Sequence, residues 1–84
     1  MKKITVRYFA SIREAIGQGS EPLHTGAATL GALRDELIAR GGAHASSLAR
    51  GKAVRMALDQ VLSDDGAALA DGAEVAFFPP VTGG

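Results

Sequence analysis

Asp71-Gly72-Ala73-Glu74-Val75-Ala76-Phe77-Phe78-Pro79-Pro80-Val81-Thr82-Gly83-Gly84 closes the 84-residue sequence with a turn, a strand, a proline pair and two glycines. Asp71-Gly72 has turn chemistry. Glu74 to Phe78 reads as the last strand. Nothing polar interrupts Val75-Ala76-Phe77-Phe78, as expected of a central strand buried on at least one face. Val75 and Phe77 share one side and are assigned to the core; Ala76 and Phe78 share the other, so Phe78 faces outwards. Pro79 and Pro80 favour an extended tail. Residues 79–84 reach roughly 20 Å at about 3.3 Å each. With Gly83-Gly84 last, the terminus is a slim carboxylate, its carbon open to attack.

A buried last strand needs neighbours, and the rest of the sequence supplies them. Residues 2–9 alternate as a first strand, with Ile4, Val6 and Tyr8 on one side and Lys3, Thr5 and Arg7 on the other. Phe9 falls on the Lys3/Arg7 side, where it either caps the core edge or is exposed for a partner. Ser11 and Glu14 have capping-box spacing for a short helix with an Ile12, Ala15, Ile16 stripe, ended by Gly17. Residues 18–25 read as a second strand, with Pro22 arguing for a sheet edge. Thr29 is the N-cap expected for a main helix running to about Arg40, with Leu30, Leu33, Leu37 and Ile38 on one face. Arg40 suits its last turn, Gly41-Gly42 stops it, and Gly31 is a weak spot near its start. Residues 43–51 are small and indistinct, a loop with one helical turn.

Residues 53–59 form a third strand with Val54, Met56 and Leu58 on one face. Asp59-Gln60 turns into a short strand at Val61-Leu62, and turn-rich sequence follows to Gly72. The order is β-α-β-α-β-β-β, an α+β domain (residues 1–78) with helices on one face of a mixed sheet. Phe78, Phe9 and Leu62 are then an apolar docking patch on the open face, or cover for a core edge.

Composition narrows the functions. Eighty-four residues make one domain burying roughly 60–65% of its unfolded surface, with little room for a deep active site. Nine basic and nine acidic side chains cancel, giving no field to attract nucleic acid or membrane. All nine bases lie at or before Arg55 with four acids, a net +5; residues 57–84 carry five acids and no base, a net −5. The acids are turn formers, an acidic end steered to a basic partner, or both. No apolar run approaches the ~20 residues that span a bilayer, and the opening strand lacks the apolar core of a secretion signal, so the expected location is cytoplasmic.

The residues that usually carry chemistry are scattered. Absence of cysteine excludes thiol nucleophiles, zinc–thiolate sites and side-chain persulfides. His24 and His44 stand apart from any catalytic motif and read as structural. Ser46-Ser47 lacks a nucleophile elbow, and no phosphate-binding glycine motif is present. Chemistry is left to the tail.

Phe-Phe-Pro-Pro-Val-x-Gly-Gly at a chain end closely resembles the ubiquitin-like (β-grasp) sulfur-carrier family that includes the small subunit of molybdopterin synthase. The likeness is dense over residues 71–84 and extends through the opening strand, the Thr29 helix and the element order. The family often carries Asn near Asp59. The resemblance implies a carrier without catalysis of its own, within a sulfurtransferase complex, that binds no cofactor tightly. A ubiquitin-activating-like enzyme would use ATP to adenylate the Gly84 carboxylate. Sulfur from a persulfide donor would replace AMP, leaving a thiocarboxylate. The tail would enter the large synthase subunit, in a heterotetramer, and attack a cyclic pyranopterin precursor. Gly83 and Gly84 would give clearance, Thr82 and Val81 line the channel, and Pro80 and Pro79 limit the entropy lost on threading. Related carriers for thiamine or other thiolation pathways, and lysine-conjugated modifiers, share the Gly-Gly ending.

Overall fold

The computed structural model describes residues 1–80. Five strands and three helices follow the order β1 (Lys2–Tyr8), α1 (Ala10–Ile16), β2 (Ser20–Thr25), α2 (Leu30–Ile38), α3 (Gly42–Leu48), β3 (Arg55–Leu58), β4 (Val61–Ser63) and β5 (Glu74–Phe78). The strands form one sheet in the order β2-β1-β5-β3-β4. β5 lies at its centre, parallel to β1 and antiparallel to β3. Ile4, Val6, Tyr8, Met56, Val75 and Phe77 present one face to Leu30, Leu33, Leu37, Leu48 and Ile12 of the helices. This mixed sheet with helices on one side is the β-grasp architecture, as expected.

Local chemistry explains most boundaries. Pro22 sits on β2, an edge strand, where a missing N–H breaks no ladder. Thr29 caps α2, its hydroxyl accepting from the Ala32 N–H at 3.1 Å. Asp59 and Gln60 both have positive φ, 49° and 70°, the geometry of a two-residue hairpin loop whose twist matches the strands it joins.

Four expectations need correction. The N-cap of α1 is Phe9, two residues before the expected Ser11 and without a capping side chain; the Phe9 N–H is still tied to Phe77 O at 3.1 Å. Its carbonyl then accepts from Ile12 and Arg13, so Ser11 is already inside the helix. α2 ends at Ile38, and Arg40 leaves the helix for Glu21. Residues 43–51, expected as a loop with one helical turn, instead carry most of the seven-residue helix α3, which begins at Gly42. Its end is held by buried Arg34, whose guanidinium donates to Leu48 O at 2.7 Å and Ala49 O at 2.8 Å. Finally, Gly31 is a packing requirement rather than a weak spot. It is buried where the Asp64–Ala67 turn presses on α2, and its N–H donates to Asp65 O at 3.0 Å.

Candidate functional site

The alternation of β1 and β5 puts Phe9 and Phe78 on the face without helices. Arg7 pairs with Ala76 and Arg55 with Phe78 across the sheet. The small side chain of Ala76 leaves a hollow between the larger groups. The result is an open groove of about 640 Å³ in which Phe9, Ala76, Phe78, Pro79 and Pro80 meet, with Arg7, Gln60 and Glu74 also on its lining. Phe9 is 38% exposed, and the Arg7 guanidinium stands 5.1 Å from its ring centroid, a cation–π contact that steadies both. Arg7 also faces Glu74 at 3.8 Å, an exposed pair of small energetic weight.

Leu62 is 60% exposed and pairs with Ala57, which pairs with Ala76, so it shares the open face. It does not join Phe9 and Phe78 in the groove. Two strand spacings, roughly 10 Å, separate it from β5, and it lines another hollow at the β3–β4 edge. Pro79 and Pro80 continue from the buried end of β5 as the groove's end wall. Val81, Thr82, Gly83 and Gly84 lie outside the described residues. Arg7 and Arg55, which flank the aromatic pair, were legible as outward positions of their strands; only the register shows that they frame Phe9 and Phe78.

The acidic second half has internal partners. Asp59 Oδ1 accepts from Glu74 N–H at 2.9 Å, Asp64 from Gly66 at 3.0 Å, and Asp71 from Lys3 N–H at 2.7 Å. Arg50 donates to Asp65 at 2.5 Å, to Asp35 at 2.9 Å and to Gly31 O at 2.9 Å. Turn chemistry and helix anchoring account for these carboxylates.

A polar cluster covers the opposite face at the β2 edge. The Tyr8 hydroxyl donates to Glu21 Oε2 at 2.8 Å, Arg40 to Oε1 at 2.8 Å, and His44 Nε2 lies 3.3 Å from Oε2. His44, isolated in the sequence, thus has a carboxylate neighbour and a structural role. Burial alone would raise the Glu21 carboxyl, but hydrogen bonds from Arg40, Tyr8 and His44 hold it below the usual range. Burial, then the hydrogen bond to Glu21 and its charge, push the Tyr8 phenol well above its ordinary value. Among the described residues no group of three or more His, Cys, Asp or Glu is placed to hold a metal ion, and no helix is long and apolar enough to cross a membrane.

The sequence pattern of the ThiS family matches residues 6–84. The chain belongs to the ThiS family. It is 41% identical over 81 residues to the molybdopterin synthase sulfur carrier subunit of Haemophilus influenzae, covering 96% of this chain and 99% of that protein. Among solved structures, this ThiS-family chain is similar to small archaeal modifier protein 1 of Haloferax volcanii, with TM-score 0.77 and 25% identity over 96% of this chain and 100% of that one. It is also similar to a chain in the complex of subunits 1 and 2 of the molybdopterin-converting factor from Helicobacter pylori. There the TM-score is 0.66 at 27% identity, over 98% of this chain and 99% of that one. These ubiquitin-like neighbours share the β-grasp fold described above.

Proposed function

We propose that this chain is the sulfur carrier subunit of a molybdopterin synthase, with Gly84 as the sulfur-bearing residue. The observation that carries the reading is the junction of β5 with the tail. Val75 and Phe77 are fully buried at the sheet centre, while Phe78, Pro79 and Pro80 emerge beside Phe9 in an apolar groove. The tail root is thereby anchored on one side and sticky on the other, as a segment handed between enzymes requires. The names of the H. influenzae relative and the H. pylori complex support the pathway and a large-subunit partner.

In this reading the Gly84 carboxylate, a poor electrophile, becomes a good one as its mixed anhydride with AMP. An activating enzyme supplies the ATP chemistry; the outer sulfur of a donor persulfide displaces AMP to form an acyl disulfide, and a thiol then attacks the donor's sulfur, leaving with it as a disulfide and releasing the thiocarboxylate. Gly83 and Gly84 then pass into the large subunit, where the thiocarboxylate attacks the cyclic pyranopterin precursor. The groove of Phe9 and Phe78, with Leu62 outlying, docks the carrier; proton-transfer groups belong to the partner.

Reconstitution with a large synthase subunit and the precursor tests this directly. Dithiolene product that requires Gly84, together with an intact-mass species in which one oxygen is replaced by sulfur, is the expected result. Product formation undiminished by deletion of Gly84 overturns it. The likeness to small archaeal modifier protein 1 favours a second reading, conjugation of Gly84 to lysines, which peptide mapping of cellular proteins would reveal. A carrier for thiamine or another thiolation pathway would instead load sulfur normally and fail with the pyranopterin precursor.

A further inference from the structure

A second hollow lies on the helix side of the tail root. It holds about 140 Å³ between α1, α3 and residues 52–54, with Pro79 at its rim. Pro79 therefore borders both this pocket and the open-face groove. The lining divides by chemistry: Ile12 and Val54 form an apolar bed, while Ser11, Ser47 and Lys52 form a polar side.

Ser47 is the informative residue. It is only 6% exposed. Its neighbour Ser46 bonds back to Ala43 O, whereas Ser47 has no side-chain hydrogen bond to any described residue. No buried side-chain nitrogen or oxygen among the described residues is sealed without a partner, so the Ser47 hydroxyl is not closed off in the core, and Ser47 lines this pocket. Lys52 is fixed at its root, its N–H donating to Ala49 O at 2.9 Å and its carbonyl accepting from Arg34 at 3.3 Å. Among the described residues its ammonium has no carboxylate within ion-pair distance. A lysine and two serines beside an apolar bed, with Ser11 and Lys52 exposed at its mouth, match a carboxylate carried on a short hydrocarbon stem. They do not suit a cation, which needs oxygen ligands free of competing positive charge.

Resting on the carrier reading, we propose that this pocket receives a glutamate or aspartate side chain of the protein that takes the tail, so that the partner grips Pro79 from both faces of the sheet.

The test is calorimetric binding of the large synthase subunit to the wild-type chain and to Lys52→Glu, Lys52→Gln and Ser47→Ala, at low and high salt. Thermal melting and amide spectra check that each variant is folded. Lys52→Glu should weaken binding about tenfold or more and flatten its salt dependence; Lys52→Gln and Ser47→Ala should each weaken it several-fold. Lysine substituted for one partner carboxylate should restore binding of Lys52→Glu. Wild-type binding with unchanged affinity in Lys52→Glu and Ser47→Ala overturns the pocket's role alone. Failure of the wild-type chain to bind overturns the carrier reading and this proposal with it.

Discussion

The Tyr8 hydroxyl lies 2.8 Å from Glu21 Oε2, and the Tyr8 ring stacks on Phe77 with centroids 6.3 Å apart. One side chain thus ties the sheet centre to the polar cluster at the β2 edge. Tyr8→Phe keeps the stack and removes the hydroxyl, leaving Glu21 with Arg40 and His44. Loss of a hydrogen bond to a partly buried carboxylate should cost about 1–2 kcal/mol in urea denaturation at neutral pH. A variant as stable as the wild type would show that the bond carries no net weight.

The same cluster sets an acid limit. Because its folded value is depressed, Glu21 contributes stability fully above the ordinary carboxylate value of about 4.3, and that contribution is lost as pH falls through the folded value. Glu21→Gln removes the titrating group. Its denaturation midpoint should lie below the wild type's at neutral pH and fall less steeply below about pH 4, the curves converging in acid. Parallel curves would assign the acid loss to other carboxylates.

Gly31 has no room for a methyl group. A Cβ there would stand 3.0 Å from Asp65 Cβ and 3.2 Å from Asp65 O. Asp65 is held by the Gly31 N–H and by Arg50. Gly31→Ala should therefore destabilise by about 1 kcal/mol despite the better helix propensity of alanine, overpacking outweighing a gain of similar size. Equal or higher stability would show that the turn yields.

Asp59 combines a φ of 49° with an acceptor for the Glu74 N–H. Asparagine tolerates that conformation and keeps the acceptor; alanine does neither well. Asp59→Asn should stay within about 0.5 kcal/mol of the wild type, and Asp59→Ala should lose about 1–2 kcal/mol. Thermal melting of the pair measures the difference, and equal losses would deny the side-chain contact.

Phe9 and Leu62 are exposed enough to be truncated without harm to the fold. If the open face docks the large subunit, Phe9→Ala should weaken that binding about tenfold or more with little change in melting temperature. Leu62→Ala should act less, being outside the groove. Unchanged affinity for both variants would move the interface elsewhere.

Which of these features could be read in the sequence follows from their range. β1 shows the period of two that a strand with one buried face must show, β5 stands out as an unbroken apolar run, and Thr29 caps through a local bond to Ala32. α3 has no such local mark. Its residues are small, Ser47 and Leu48 are its buried residues, and its last carbonyls are satisfied by Arg34 from another helix. The meaning of Gly31 comes from Asp65, thirty-four positions later, and that of His44, in α3, from Glu21 on β2. Phe9 betrayed itself by breaking the alternation of β1. Its meeting with Phe78, and the separation of both from Leu62, required the register of the sheet.

The parallel pairing of β1 with β5 has a bearing on biosynthesis. The first strand made is the neighbour of the last, joined through Thr5↔Glu74 to Tyr8↔Phe77. A nascent chain still lacking residues 74–78 has β1 without its inner partner and a core without Val75 and Phe77. Such non-local pairing delays folding until β5 has left the ribosome. A chain cut short within β5 would leave apolar surface exposed to proteolysis, so degradation would remove carriers that could never present a tail.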